Sequence, residues 1–316
     1  MGHEILDLAG LATPMAIRVA VTLGLPDRLL GRAATAEELA AELDVAAVPL
    51  ELLLAHLTSL GFFEPTGDGY RTADRGRELC GESLATVLLH LNTAGGRAEL
   101  AFVELLHSIT TGESGYRRRY GQDFWADLAA HPTLRASFDK QMDLRFRDQI
   151  PGIVAGYDWG RFATVVDVGG GTGTLLTAIL AACPGTRGTL VDLAPPPGLG
   201  DRVETIAGSF FDPLPPGADA YLLSDILHDW DDEHAHRILA RCVEAAPPDG
   251  RILVVEPVGG RRASTAIDLA MLVIFGGRER RVEEFRALAE PHGLVLDAVV
   301  DLAADRCVLE FRQATA

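Results

Sequence analysis

The chain has 316 residues, 48% of them hydrophobic, and 28 Lys+Arg against 45 Asp+Glu leave a formal net charge of −17. That apolar content excludes the disordered class, and so acidic a balance argues against a nucleic-acid partner, whose phosphates it would repel. Four dispersed cysteines without a CxxC pair (Cys80, Cys183, Cys242, Cys307) fit neither a disulfide framework nor a zinc site. No apolar run approaches the ~18–20 residues needed to span a bilayer, and the first residues lack a signal peptide's basic and apolar parts. The expectation is a cytoplasmic protein of about two domains, at ~150 residues each, with no membrane partner.

The first 90 residues read as short helices. Leu6, Leu8, Leu11, Met15, Val19 and Leu23 recur at helical spacing and predict one amphipathic helix, stopped by Gly24-Leu25-Pro26. Thr35 stands three residues before Glu38, the spacing of a capping box that opens a second helix. A third helix is expected from Pro49 to Leu60, stopped by Gly61. Phe62–Pro65 and Tyr70–Thr72 flank Gly67-Asp68-Gly69, a hairpin signal, so this segment takes the winged-helix arrangement. Residues 91–156 stay helical. From 157 to 316, apolar runs at Val165–Val168, Thr189–Leu193, Ala220–Leu223 and Ile252–Glu256 alternate with helical stretches. That alternation predicts a mostly parallel α/β sheet with crossover helices. Val295–Asp301 and Cys307–Phe311 close it with an antiparallel hairpin.

Val165-Val166-Asp167-Val168-Gly169-Gly170-Gly171-Thr172-Gly173 carries the chemistry. A strand runs into a glycine-rich turn that opens a helix, exposing backbone N–H groups to a ligand. The spacing is not that of a nicotinamide dehydrogenase, because Thr174 stands where the last glycine of GxGxxG belongs. Asp167, two residues before the first glycine, suits a positively charged amino-acid ligand better than a pyrophosphate. Asp192 ends the next strand, where a carboxylate can take both hydroxyls of a ribose. The three features together point to a nucleoside ligand.

With these motifs the sequence resembles the class I S-adenosylmethionine-dependent small-molecule O-methyltransferases, and most the bacterial natural-product branch related to plant caffeate-type enzymes. The resemblance runs nearly the whole length, through Gly208-Ser209-Phe210-Phe211, Leu227-His228-Asp229-Trp230, Glu256 and Gly277-Arg278-Glu279-Arg280. It implies a C-terminal Rossmann-like cofactor domain, S-adenosylmethionine as cofactor, S-adenosylhomocysteine as product, and a homodimer built through the N-terminal domain. It places Gly169 and Gly171 along the methionine part, Asp192 on the ribose, and Ser209 with Phe210 at the adenine. Two positions depart from the family pattern: Ser209 stands where Asp is usual, and Ser224 where a lysine near the cofactor is usual.

His228 follows a strand end, where open α/β sheets bind ligands. A phenol has a pKa near ~10, and a neutral imidazole near ~6.5 can take its proton as the oxygen attacks the methyl group. By resemblance, Glu256 and Glu279 orient that imidazole. The plainer alternative is a histidine packed before a helix whose start Asp229, Asp231 and Asp232 serve. His234 and His236, two residues apart on a helix, face different directions, so no metal site is expected. Trp125, Phe138, Met142, Phe146, Met271 and Phe275 are candidates to line the pocket of an aromatic, fused-ring secondary metabolite. Two other functions stay open. One is the same fold doing non-methylating tailoring, a hydroxylation or pericyclic step. The other is a winged-helix regulator, disfavoured because Pro49–Leu60 holds no Arg or Lys.

Overall fold

The computed structural model of the chain describes residues 2–67, 69–261, 264–302 and 306–314. They fall into two compact units, Met1–Leu100 with Leu128–Gln141, and Ala101–Asp127 with Met142–Ala316. The helical stretch 91–156 is therefore divided between the two.

In the first unit, α1 (Gly2–Ala9), α2 (Ala12–Thr22), α3 (Leu25–Arg28), α4 (Ala36–Leu43) and α5 (Ala47–Ser59) precede the antiparallel hairpin β1 (Phe63–Thr66) and β2 (Gly69–Thr72). Asp68, at the tip of that hairpin, lies outside the described residues. The single N-terminal helix expected from the apolar spacing is two helices, α1 and α2, interrupted at Gly10-Leu11. Glycine disfavours helix by about 1 kcal/mol relative to alanine, which makes Gly10 the natural breaking point. The capping box at α4 is complete: Thr35 Oγ1 accepts from the Glu38 N–H at 3.2 Å, and Glu38 accepts from the Thr35 N–H at 2.9 Å. Leu25, Leu29, Leu39, Leu54 and Phe63 fill the core of this unit. Leu6, Leu8 and Leu11 do not join it, being 69%, 89% and 69% exposed. Helices α6 (Leu84–Leu89) and α7 (Ala94–Leu100) complete this run of chain.

Further along the chain, α8 (Leu105–Thr111), α9 (Gly115–Tyr120), α10 (Phe124–Ala130), α11 (Pro132–Arg147) and α12 (Ile150–Ala155) lead to the sheet. Its strands are β3 (Thr164–Val168), β4 (Arg187–Asp192), β5 (Val203–Ala207), β6 (Ala220–Ser224), β7 (Arg251–Pro257), β8 (Leu294–Asp301) and β9 (Arg306–Gln313), in the order β5-β4-β3-β6-β7-β9-β8. The first five run parallel, whereas β9 is antiparallel to both β7 and β8. One face packs Leu176, Ile179 and Leu180 of α13 (Thr174–Ala182) on Val165, Leu190, Leu222 and Leu253. The other packs Ile238 and Leu239 of α14 (Asp232–Ala245) and Phe285 of α16 (Val282–Ala289) on Val166, Tyr221, Leu223 and Val254. Each fully buried Leu, Ile or Phe of this kind contributes about 1.5–3 kcal/mol. Between α14 and α16, α15 (Thr265–Phe275) follows β7. Strand β5 carries no apolar run that would announce it, because it is a sheet edge with Glu204 and Thr205 exposed. The strand order reverses between β3 and β6, so the crevice for a ligand opens at their carboxyl ends.

Candidate active site

The turn from β3 into α13 places Gly169, Gly171 and Gly173 at φ of 75°, 58° and 74°, where only glycine is unstrained. A Cβ on Gly169 would also lie 2.6 Å from Ile226 Cδ1, and one on Gly170 would lie 2.4 Å from the Asp167 carboxyl carbon. Around Gly171, by contrast, a Cβ would meet nothing within 4 Å. Asp192 ends β4 and ties the turn down, its carboxylate accepting the N–H groups of Gly171 at 3.0 Å and Ala194 at 3.2 Å. Asp143 on α11 accepts from Thr172 Oγ1 at 2.8 Å and Thr174 Oγ1 at 3.1 Å, holding the loop from its other side. Ser209 Oγ accepts the Phe211 N–H at 3.2 Å, and the Phe210 ring stands edge-on to Phe211 and Trp230.

Both oxygens of Asp167 are buried without a hydrogen-bond partner among the described residues, as are Ser224 Oγ at the end of β6 and one oxygen each of Glu256 and Glu279 further along the site. Burial, and then the charge of Asp192, push the Asp167 carboxyl up to about 7. A buried acceptor left unmatched beside an open glycine turn fits the ammonium end of the S-adenosylmethionine that the sequence implies. Ser224 offers a hydroxyl at the position where the family pattern has a lysine. The guanidinium that faces the next residue, Arg306, has both Nη atoms on Asp225.

From β6 the chain turns through Asp225, which adopts φ of 53°, into a short 3₁₀ turn, Leu227–Asp229. Glu256 on β7 anchors that turn by its backbone: Oε1 accepts the N–H groups of Ile226 at 3.0 Å, Leu227 at 2.6 Å and His228 at 3.4 Å. This places Glu256 on the backbone of His228, whereas the expectation had it orienting the ring. Glu279 does face the imidazole, with Oε1 3.1 Å from Nδ1, and Asp229 Oδ1 lies 3.4 Å from Nε2. Arg280 clamps the turn through the carbonyls of Leu227 and Trp230, at 2.5 and 2.7 Å. Gly277 permits this approach, since a Cβ there would come within 2.0 Å of the His228 carbonyl oxygen.

His228 is buried, which by itself lowers an imidazole pKa. The carboxylates of Asp229, Glu279 and Asp225 outweigh that and hold it up, at about 10. Burial raises Glu256 and Asp229 to about 7 each. Asp225 goes the other way, to about 2, because Arg306 overcomes its burial.

The apolar candidates are placed unequally. The Trp125 ring stacks on Phe275, with centroids 5.6 Å apart and planes at 21°, and Phe124 meets both edge-on. Met271 is buried on α15, while Met142 and Phe146 are half-buried near the end of α11. The Phe146 ring lies 4.8 Å under the Arg306 guanidinium. Phe138 belongs to the other unit. Sequence reasoning missed Asp143, Asp225 and Arg306, and read Asp229 only as a helix-start acid. The one local hint for Arg306 is a charged residue opening an otherwise buried strand.

Family models match the chain twice: an O-methyltransferase dimerisation domain over residues 6–81, and an O-methyltransferase domain over residues 102–295. The 2,7-dihydroxy-5-methyl-1-naphthoate 7-O-methyltransferase of Streptomyces carzinostaticus is 46% identical over 92% of each chain. The aclacinomycin 10-hydroxylase of Streptomyces purpurascens is 41% identical over 96% of this chain and 88% of its own. Among solved structures, an O-methyltransferase of neocarzinostatin biosynthesis, in complex with S-adenosylmethionine and 2-hydroxy-5-methyl naphthoic acid, superposes with a TM-score of 0.92. It shares 43% identity, and the match covers 98% of both chains. The chain belongs to the S-adenosylmethionine-dependent O-methyltransferase family, carrying both its dimerisation domain and its catalytic domain.

Proposed function

We propose that this enzyme methylates a phenolic hydroxyl of a fused-ring, polyketide-like aromatic acceptor, with His228 as general base. The observation that carries the reading is the imidazole itself. It is buried at the carboxyl end of β6, has Glu279 on Nδ1, and stands beside a glycine turn whose Asp167 is unmatched. When bound, S-adenosylmethionine supplies an electrophilic methyl group and leaves as S-adenosylhomocysteine. Asp167 would meet its ammonium group, Asp192 its ribose hydroxyls, and Ser209 with Phe210 its adenine, while Gly169 and Gly171 let it approach the backbone. The chain's own part in the chemistry is to hold the acceptor, exclude water and take its proton at Nε2. Glu279 fixes the ring from Nδ1 and stabilises the imidazolium that results. Trp125, Met142, Phe146, Met271 and Phe275 supply apolar surface suited to a planar acceptor. A naphthoic acid bound to the similar neocarzinostatin enzyme supports that substrate class.

The exposed Leu6, Leu8 and Leu11 supply apolar surface for a homodimer through the dimerisation domain. The protein works as a cytoplasmic enzyme in secondary metabolism, and no helix among the described residues is long and apolar enough to cross a membrane. Incubation with methyl-labelled S-adenosylmethionine and a panel of hydroxylated naphthoates and related polyketides tests the reading. Label should appear in product, with one S-adenosylhomocysteine per turnover. The similarity to a hydroxylase gives a second reading, non-methylating tailoring. Product that gains oxygen while the cofactor is recovered intact would establish that reading instead.

A further inference from the structure

We propose that the buried Asp225–Arg306 pair is a positioning device for His228: it fixes the left-handed residue from which the catalytic turn departs and keeps a carboxylate charge beside the imidazole. The pair is bidentate, with Nη2 to Oδ2 at 2.7 Å and Nη1 on Oδ1, and its side chains are 1% and 3% exposed. Asp225 stands at φ of 53°, a left-handed conformation that Asp tolerates better than most side chains but that still strains the backbone. Its N–H bonds the Val255 carbonyl at 3.1 Å. Sheet register brings Arg306 there: it pairs with Pro257, so the start of antiparallel β9 lies at the carboxyl end of β7. Arg306 Nε also bonds Gln149 Oε1 at 2.8 Å, and the guanidinium covers Phe146. One side chain thus braces the catalytic turn against α11 and α12.

A buried ion pair is a poor stabiliser, since apolar residues of similar volume often do as well or better. Its place three residues before His228 makes better sense as electrostatics. The charged groups around the imidazole are Asp229 on its own turn, Asp225 after β6, Glu256 on β7, Glu279 and Arg280 after α15, and Arg306 on β9. Arg145 on α11 acts on Asp225 from further out. Glu256 and Asp229 titrate near 7, whereas Arg306 keeps Asp225 ionised throughout the working range. Asp225 therefore raises the proton affinity of His228 without itself titrating, and so sets the pH above which the imidazole is neutral and free to take the acceptor's proton.

The inference rests on His228 as the base, and the test reads the imidazole directly, so its failure is separable from loss of that role. The His228 ring is followed by NMR titration in the full-length protein, alongside the kcat–pH profile. In the unsubstituted protein it should titrate well above the ordinary ~6.5. In Asp225→Asn, which accepts the same backbone conformation, it should titrate ~1–2 units lower. The acidic limb of the profile should move down with it, while affinity for S-adenosylhomocysteine stays within about twofold. Should Asp225→Asn not fold, Asp225→Asn/Arg306→Met removes both charges and should show a displacement in the same direction but smaller, since the lost cation offsets part of the lost carboxylate. An unsubstituted His228 titrating at or below 6.5 overturns the proposal. A folded variant whose titration and profile coincide with the original overturns it too.

Discussion

The glycine turn after β3 and the His228 turn after β6 stand side by side at one end of the sheet, and the protein treats them in opposite ways. Around His228 the chain supplies most of the partners itself, leaving Ser224 Oγ and the Oε2 atoms of Glu256 and Glu279 without one among the described residues. Glu256 takes three N–H groups, Arg280 two carbonyls, Arg306 a whole carboxylate, and Glu279 one ring nitrogen. Around the glycine turn it leaves both oxygens of Asp167 without a partner among the described residues. A base must be held rigidly for a proton transfer, whereas a binding site gains affinity from groups that only the ligand satisfies. Variants can probe the two designs separately.

The largest effect is expected at the proposed base. His228→Ala should lose ~10²–10⁴-fold in kcat, with S-adenosylhomocysteine binding close to the original in calorimetric titration. Activity within a few-fold would reduce the mechanism to proximity and orientation. On the other side of the comparison, Asp192→Ala should weaken S-adenosylhomocysteine by at least ~tenfold, since charge-assisted hydrogen bonds contribute about 1.5–3 kcal/mol each. Unchanged affinity would remove Asp192 from the site.

Asp167→Asn sharpens the contrast, because it should harm binding while helping the fold. The carboxyl is raised from 3.8 to about 7 in the folded chain, so ionising it opposes folding. That penalty is absent below pH 4, grows as pH rises, and is complete above 7. The ligand-free Asn variant should therefore melt a few degrees higher at pH 8 and no higher at pH 4. Equal melting at pH 8 would mean that Asp167 already has its partner. The smallest effect is expected for Glu256→Gln. Its amide oxygen can still accept the three backbone N–H groups, so kcat should fall by no more than ~tenfold. A loss as large as that of His228→Ala would show that the charge of Glu256, and not its geometry, is what the turn requires.

Local strings determined much of this. The apolar periodicities of β3, β4, β6 and β7, the Thr35–Glu38 capping box and the hairpin around Gly67 act over a few residues, and the fold keeps them. So does the glycine turn, whose positive φ values only glycine meets without strain. Two local readings failed for local reasons: Gly10 splits the first helix, and β5 is too polar at the sheet edge to announce itself. The partners of the His228 turn were decided elsewhere. Glu256 reaches the backbone of residues 226–228 from the neighbouring strand, and Arg280 returns after an excursion through α15. Arg306 meets Asp225 because β9 inserts antiparallel between β7 and β8. Sequence fixes which side chains can ionise or donate. Which of them meet in the low dielectric of the interior, and so which charges survive there, depends on strand order and register, which bring together residues 81 positions apart.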